Sequence, residues 1–338
     1  MEAVVQESIR KVQAHTKAHL PWKADEPWQQ EVFEYNRENQ EWTTSEKSNE
    51  AAATNKHAFT SFAVLSWNID FMLPFPESRM RQAVRHLESM VSGLPVDVAS
   101  VIYLQESTHS DLKTLSDSEW VRENYCLTDK ETSNWSSGYY GTVTLVDKRL
   151  PVKSCFRVHY SQTRMGRDAL FVDVAVGQKR DKTVRFCNTH LESLALEPPR
   201  RPAQVALAAK YMREDGVYGA LMAGDFNAIQ DFDRSLHADN NLKDAYLELG
   251  GREDRDEGFT WGQQAATKQR EMFGCSRMDK VFYCGGLELK SFERFGGGIE
   301  VEDEGEREHI VQLGFDRPWI TDHLGVMAVF EVGHSSGT

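Results

Sequence analysis

Cysteine is scarce in this 338-residue chain, with five residues, Cys126, Cys155, Cys187, Cys275 and Cys284, odd in number and never spaced as CxxC. That excludes a disulfide framework and a zinc site, and it suits a reducing compartment. No apolar run approaches the ~20 residues of a membrane span. The start, Met1-Glu2-Ala3-Val4-Val5-Gln6-Glu7, lacks the basic and apolar stretches of a secretory signal. The expectation is an intracellular protein with no membrane partner; no basic cluster decides between nucleus and cytoplasm. Positive charge is also short, and the net charge of -13 argues against non-specific nucleic-acid affinity spread over the surface. A cleft holding a divalent cation and a few Arg or Lys can still be locally positive on an acidic body. A P-loop, a nucleophilic serine elbow and a Rossmann glycine fingerprint are all missing.

Apolar material is plentiful. Hydrophobic residues make up 40% of the chain, with 8 Trp and 17 Phe, enough for a sizeable ordered core. Residues 1–60 are polar with scattered Trp22, Trp28 and Trp42 and a low-complexity stretch near Glu50-Ala51-Ala52-Ala53-Thr54. They read as an N-terminal extension, partly helical or mobile, pinned to the body by its tryptophans. Residues 61–333 read as one catalytic domain, followed by a short tail, 334–338. Short apolar runs predict strands at Phe62–Trp67, Val98–Leu104, Thr142–Val146, Ala169–Val176, Val184–Asn188, Ala220–Ala223, Asp279–Tyr283, Leu287–Phe292 and Leu324–Phe330. Helical spacing predicts helices at Arg79–Val91, Pro202–Met212 and Leu242–Leu249. Residues 250–276 and 293–316 read as loops. Many short strands with few helices predict an α/β fold of two packed sheets flanked by helices.

Polar groups sit at the ends of these apolar runs: Trp67-Asn68-Ile69-Asp70, Leu104-Gln105-Glu106, Asn188-Thr189-His190-Leu191-Glu192-Ser193, Gly224-Asp225-Phe226-Asn227, Arg277-Met278-Asp279 and Thr321-Asp322-His323. A core strand has no reason to end on such groups repeatedly. Glu106 is a hard oxygen ligand suited to Mg²⁺, and Asp70 can join it through metal or water. Asn68 can bind a phosphate oxygen or hold an attacking water. Asp225, released by Gly224, can take a proton from water, and Asn227 can orient it or bind phosphate. His190 and Ser193 can both donate to one phosphate. A cationic His323 can stabilise charge on a pentavalent phosphate, with Asp279 fixing its other nitrogen. Asp322 can reach metal-bound water. Each group alone is ordinary turn or surface chemistry; together they supply a metal carboxylate, a base, phosphate donors and an oriented histidine.

The order of Asn68, Glu106, His190, Asp225 with Asn227, Asp279, and Asp322 with His323 resembles the endonuclease/exonuclease/phosphatase superfamily. Ser66-Trp67-Asn68-Ile69-Asp70, Thr189-His190-Leu191-Glu192-Ser193 and Arg277-Met278-Asp279-Lys280-Val281-Phe282 are similar to its tyrosyl-DNA phosphodiesterase 2 subfamily. The resemblance implies a four-layer α/β sandwich, Mg²⁺ as cofactor with Mn²⁺ able to substitute, and DNA with blocked 5′ ends as partner. It implies hydrolysis of 5′-phosphotyrosyl-DNA. By motif, Glu106, Asp70 and Asp322 hold the metal, Asp225 is the acid/base, and His323 binds the scissile phosphate. His190 and Ser193 meet the 5′ phosphate, Arg167 in Thr163-Arg164-Met165-Gly166-Arg167 approaches DNA, and Trp261 either stacks on a base or anchors its loop. Phe71-Met72 and Phe226 depart from the smaller residues of the subfamily, and both are expected to adjoin the substrate groove. The competing readings are another hydrolase of the same chemistry (abasic-site nuclease, deadenylase, inositol or sphingolipid phosphodiesterase) and an inactive binding scaffold.

Overall fold

The structure, a computed structural model, describes residues 2–15, 20–45, 59–177 and 180–333. The Ala-rich stretch near residue 52 and the tail at 334–338 lie outside the described residues. The first strands in the chain are β1 (Pro27–Gln29), β2 (Phe33–Asn36) and β3 (Glu41–Thr44). The body then supplies β4 (Ser61–Asn68), β5 (Val98–Thr108), β6 (Tyr125–Leu127), β7 (Tyr140–Asp147), β8 (Val152–His159), β9 (Asp168–Val176) and β10 (Lys182–His190). After these come β11 (Gly219–Asp225), β12 (Lys243–Asp244), β13 (Asp279–Gly285), β14 (Leu287–Phe295) and β15 (Gly325–Val332). They form a seven-stranded sheet in the order β1-β8-β9-β10-β11-β13-β12 and an eight-stranded sheet in the order β14-β15-β4-β5-β7-β6-β2-β3.

The two sheets face each other because alternate residues of each strand are apolar on both sides. Phe62 and Val64 of β4 join Val101, Tyr103, Leu170, Val172, Phe186, Leu221 and Phe330 in the layer between the sheets. Ala63, Leu65 and Trp67 point the other way, onto Met80, Ala83, Val84 and Leu87 of the helix Pro76–Ser92. Val205, Ala208, Ala209 and Met212 of the helix Arg201–Met212 cover the far face of the seven-stranded sheet. The result is the expected four-layer sandwich of helix, sheet, sheet and helix.

The N-terminal residues differ from expectation. Beyond the helix Glu2–His15, they contribute strands to both sheets: β1 pairs with β8, and β2 pairs with β6. Three- and four-residue strands are too short to show a period of two, so the sequence hid them. The expected pinning by tryptophan is present: Trp22 stacks on His159 at 3.9 Å, and Trp42 donates to the Ser116 carbonyl at 3.0 Å. The two segments read as loops carry helices, Thr267–Phe273 and Glu304–Gln312, and β14 runs on to Phe295. Both helices bury too little for an apolar period to appear; in the second only Ile310 is buried. The helix read over Leu242–Leu249 shrinks to Ala245–Glu248, capped by Asp244, which ends β12. Strand β8, Val-Lys-Ser-Cys-Phe-Arg-Val-His, was masked by its charged residues, one of which, Arg157, is buried.

Candidate active site

Register brings distant residues into one row. Across β10, β11 and β13, His190 pairs with Asp225 and Asp225 pairs with Asp279. At the same end of the other sheet, Asn68 pairs with Gln105, and Glu106 follows. A register shift between Leu104 and Ser107 in the β5–β7 ladder coincides with a left-handed Glu106, φ +59°. A bulge of this kind re-aims a side chain, here towards the cleft. Asp70 (φ +57°) and Asn227 (φ +48°) share that uncommon backbone. Left-handed non-glycine residues gather at functional sites, where surrounding structure holds the strain. Gly224 is obligatory: a Cβ there would fall 1.7 Å from the Thr189 carbonyl oxygen.

Beneath this row the sheets are fastened by polar groups. Gln105 donates to Asn188 at 2.8 Å and to Ser66 at 3.1 Å, and Asn188 donates to the Val143 carbonyl at 2.9 Å. Gln105 and Asn188 are fully buried, so these bonds fix the sheet-to-sheet spacing under the site. The sequence singled out their motifs for the residues beside them and missed this role.

Asp225 is the centre. Its Oδ1 accepts from the Asn227 N–H at 2.7 Å, and its Oδ2 accepts from Asn68 Nδ2 at 3.0 Å and Asn227 Nδ2 at 3.3 Å. His190 Nε2 lies 3.3 Å from Asp225 Oδ2 and 3.8 Å from Glu106 Oε1, and His323 Nε2 lies 3.8 Å from Asp225 Oδ2. Burial opposes ionisation of Asp225, but His323, His190 and the Asn227 N–H outweigh it and hold the carboxyl well below its usual range. His323 Nδ1 meets Asp279 Oδ2 at 2.8 Å. Burial would lower the His323 pKa, yet Asp279, Asp225 and Asp322 together raise it well above the ordinary value, so the imidazole is cationic at neutral pH.

His190 behaves oppositely. Burial and then Arg167 lower its pKa. Arg167 Nη1 is hydrogen-bonded to His190 Nδ1. A guanidinium can only donate, so Nδ1 accepts and the ring proton sits on Nε2. That N–H is buried, 3.3 Å from Asp225 Oδ2 and 3.8 Å from Glu106 Oε1.

Asp70, Glu106 and Asp322 act on one another through space, but their oxygens do not all come within 4.8 Å of one another. Burial, then Asp322, then Glu106 raise the Asp70 pKa, with Arg79 and the Met72 N–H opposing them. Glu106 Oε2 accepts from the Phe71 N–H at 3.0 Å, Asp70 Oδ1 accepts from the Met72 N–H at 2.9 Å, and Asp322 Oδ2 accepts from Trp261 Nε1 at 2.7 Å. These bonds hold the three carboxylates in place. Among the described residues, the group of potential ligand atoms that does converge within 4.8 Å is Asp225, Asp279 and His323. That trio is a poorer cation site, because its imidazole is protonated and bonded to Asp279.

Of the residues read on or beside the substrate, Arg167, Trp261 and Phe226 are buried. Arg167 is 5% exposed, lies over the Tyr140 ring at 5.4 Å and serves His190, so it is not an open DNA contact. Trp261 takes its anchoring alternative: the ring is buried with Ala265 and Met278, and its N–H holds Asp322. Phe226 is fully buried edge-on to Phe282 and does not adjoin the groove, whereas Phe71 stacks on Tyr140 at 4.2 Å beside Glu106. Ser193 is half-buried in the loop that leaves β10. Its neighbour Glu192, unassigned from sequence, is buried and accepts from Thr163 Oγ1 at 2.6 Å and the Arg164 N–H at 3.0 Å, tying down the loop before Arg167.

A four-layer α/β sandwich with carboxylates and imidazoles converging at one end of its two sheets defines the class of the endonuclease/exonuclease/phosphatase folds. The chain belongs to the Endonuclease/Exonuclease/phosphatase family, whose profile matches residues 65–323. It is 28% identical over 235 residues to the 5′-tyrosyl-DNA phosphodiesterase of Caenorhabditis elegans, covering 68% of this chain and 59% of that protein. It is 24% identical over 257 residues to human Tyrosyl-DNA phosphodiesterase 2, covering 73% of this chain and 64% of that one. The matched part therefore spans under two thirds of either relative. The crystal structure of truncated Caenorhabditis elegans TDP2 superposes with a TM-score of 0.59 at 23% identity, over 80% of this chain and 97% of that chain.

Proposed function

We propose that this protein is a divalent-cation-dependent phosphodiesterase that hydrolyses the bond between a tyrosine and a DNA 5′ end. The observation that carries the reading is the convergence on Asp225: neutral His190 on one side, cationic His323 on the other, and Glu106 facing them from the second sheet. The names of both curated relatives point to the tyrosyl-DNA substrate. The catalytic unit is residues 61–333, with the strands between Pro27 and Thr44 completing its sheet edges. Five free cysteines favour an intracellular location. Among the described residues no helix is long and apolar enough to cross a membrane.

In this reading Glu106, Asp70 and Asp322 hold Mg²⁺, or Mn²⁺ in its place. Bound there, the cation supplies charge to offset the phosphate oxygens. His323 donates Nε2–H to a non-bridging oxygen, and Asp279 keeps that donor aimed and charged. His190 Nε2–H, with Ser193 farther along the same loop, donates to the phosphate as well. Asn68 and Asn227 hold Asp225 by both carboxylate oxygens, with lone pairs left to accept the proton of an attacking water. An arriving anionic phosphate raises the low basicity of Asp225, because like charge disfavours the carboxylate.

The test is turnover of a 5′-tyrosyl oligonucleotide with Mg²⁺ and with EDTA, beside abasic-duplex, RNA and lipid phosphodiesters. Fast release of tyrosine with Mg²⁺ only is expected. Equal signal in EDTA ends the metal claim, and faster cleavage of any other substrate reassigns the specificity.

A further inference from the structure

We propose that Arg79 is a positioning residue that sets the spacing between the loop carrying Asp70 and the loop carrying Asp322 and His323. This rests on the reading that Asp70, Glu106 and Asp322 hold a cation. Arg79 lies in the first turns of the helix Pro76–Ser92 and is fully buried. A buried guanidinium ordinarily lies against a carboxylate. The bonds of Arg79 go instead to five main-chain carbonyls. Nε donates to Pro74 O at 2.9 Å, and Nη2 donates to Asp70 O at 2.8 Å and Leu73 O at 3.0 Å. Nη1 donates to Ile69 O and, at 2.7 Å, to Ile320 O.

Four of those carbonyls wrap the turn from Ile69 to Pro74, which presents Asp70 and the Phe71 N–H that holds Glu106. The fifth, Ile320, stands two residues before Asp322 and is 241 positions away from Arg79 in sequence. One rigid fork thus clasps two loops that share no other main-chain ladder near the site. Thr321 makes a second, weaker tie in the same place: its hydroxyl donates to Asn68 O at 2.8 Å and accepts from the His323 N–H at 3.2 Å.

The charge has its own part. Asp70, Asp111, Asp322 and Glu106 all act on Arg79 through space without touching it. The guanidinium offsets their negative charge, while none of their oxygens accepts a hydrogen bond from it. Lysine keeps the charge but has one nitrogen and three donors, so it cannot reach five carbonyls in two loops.

Charge and geometry therefore predict opposite results. Removing a positive charge beside a cation site raises cation affinity by electrostatics alone; loosening the loops lowers it. The experiment is calorimetric titration of Mg²⁺ into the full chain, as wild type, Arg79→Lys, Arg79→Gln and Thr321→Val. Loss of positioning groups behind metal ligands typically costs 10- to 100-fold in affinity, so Arg79→Lys and Arg79→Gln are both expected to bind Mg²⁺ about tenfold or more weakly. Thr321→Val, which keeps the volume and buries no new charge, shifts affinity the same way by a smaller factor. Wild-type affinity in Arg79→Lys, or tighter binding in Arg79→Gln, overturns the proposal. If the Arg79 variants do not fold, Thr321→Val decides, and its wild-type affinity overturns the proposal. A wild-type chain that binds no Mg²⁺ overturns the cation reading itself, and the proposal with it.

Discussion

His323 owes its charge to its surroundings. Burial alone would leave the ring neutral, and it is Asp279, first among three carboxylates, that makes the cation the stable form. A histidine with a raised folded pKa contributes stability that is complete below its unfolded pKa and is lost as pH rises through the folded one. In the proposed mechanism the same titration switches off the phosphate donor. Asp279→Asn removes the largest raising influence while keeping a hydrogen-bonding side chain. We expect the basic limb of the kcat/KM profile to move to lower pH in this variant, with a matching earlier loss of stability on the alkaline side. An unmoved basic limb would show that His323 does not set it. Asp225→Asn tests the other pole. The amide keeps the volume and one accepting oxygen, so the bond from either the Asn227 N–H or Asn68 Nδ2 is lost, and the proton acceptor is gone; turnover should fall about 10²- to 10⁴-fold with the thermal transition still cooperative. Full activity in that variant would remove Asp225 from the chemistry.

The elements were legible wherever a long apolar run ended on a polar group. Strands β4, β5, β10, β11 and β13 and the two long covering helices were placed correctly for that reason, and they carry His190, Asp225, Asp279, Asn68 and Glu106. What the sequence could not show depends on side chains leaving their expected face. The burial of Arg79, Arg157 and Arg167 was not legible, because nothing local announces that a guanidinium will be buried. Trp261 left two readings open, since only the fold places Asp322 against its N–H. The edge strands β1 to β3 are too brief for any period. Arg157 shows how such a hidden residue joins elements. From β8 it donates to Asp168 of β9 at 2.8 Å, to Asp129 at 2.9 Å, and to the Thr142 hydroxyl on β7 in the opposite sheet at 2.6 Å. Replacing it with methionine leaves two buried carboxylates without their cation. Loss of one partner from such a group typically costs about 3–5 kcal/mol, so Arg157→Met should lower the urea midpoint by a corresponding amount. A midpoint within error of wild type would mean that both carboxylates take up protons at little cost.

At the scale of the whole molecule, the proposed reaction sets a polyanionic substrate against a carboxylate-lined cleft on an acidic protein. The net charge of -13 disfavours DNA at long range. The cleft adds Asp70, Glu106, Asp322, Asp225 and Asp279, offset within reach by Arg79, Arg167 and His323. Such a site stores repulsion in the cation-free fold, and a divalent ion relieves it. Binding to the folded state alone stabilises by mass action, about 2.7 kcal/mol at a cation concentration of 100 times Kd. Mg²⁺ should therefore raise the melting temperature, and EDTA should return it to the cation-free value. Glu106→Gln keeps the bond from the Phe71 N–H possible through its carbonyl oxygen but removes the negative charge offered to the ion. That variant should melt higher than wild type without Mg²⁺, because one repelling charge is gone, and should gain less when Mg²⁺ is added. The crossing of the two melting curves with Mg²⁺ concentration is the diagnostic, since a general salt effect would raise both proteins in parallel. Parallel curves, or an equal rise on adding the same ionic strength of NaCl, would leave Glu106 with no part in holding a cation.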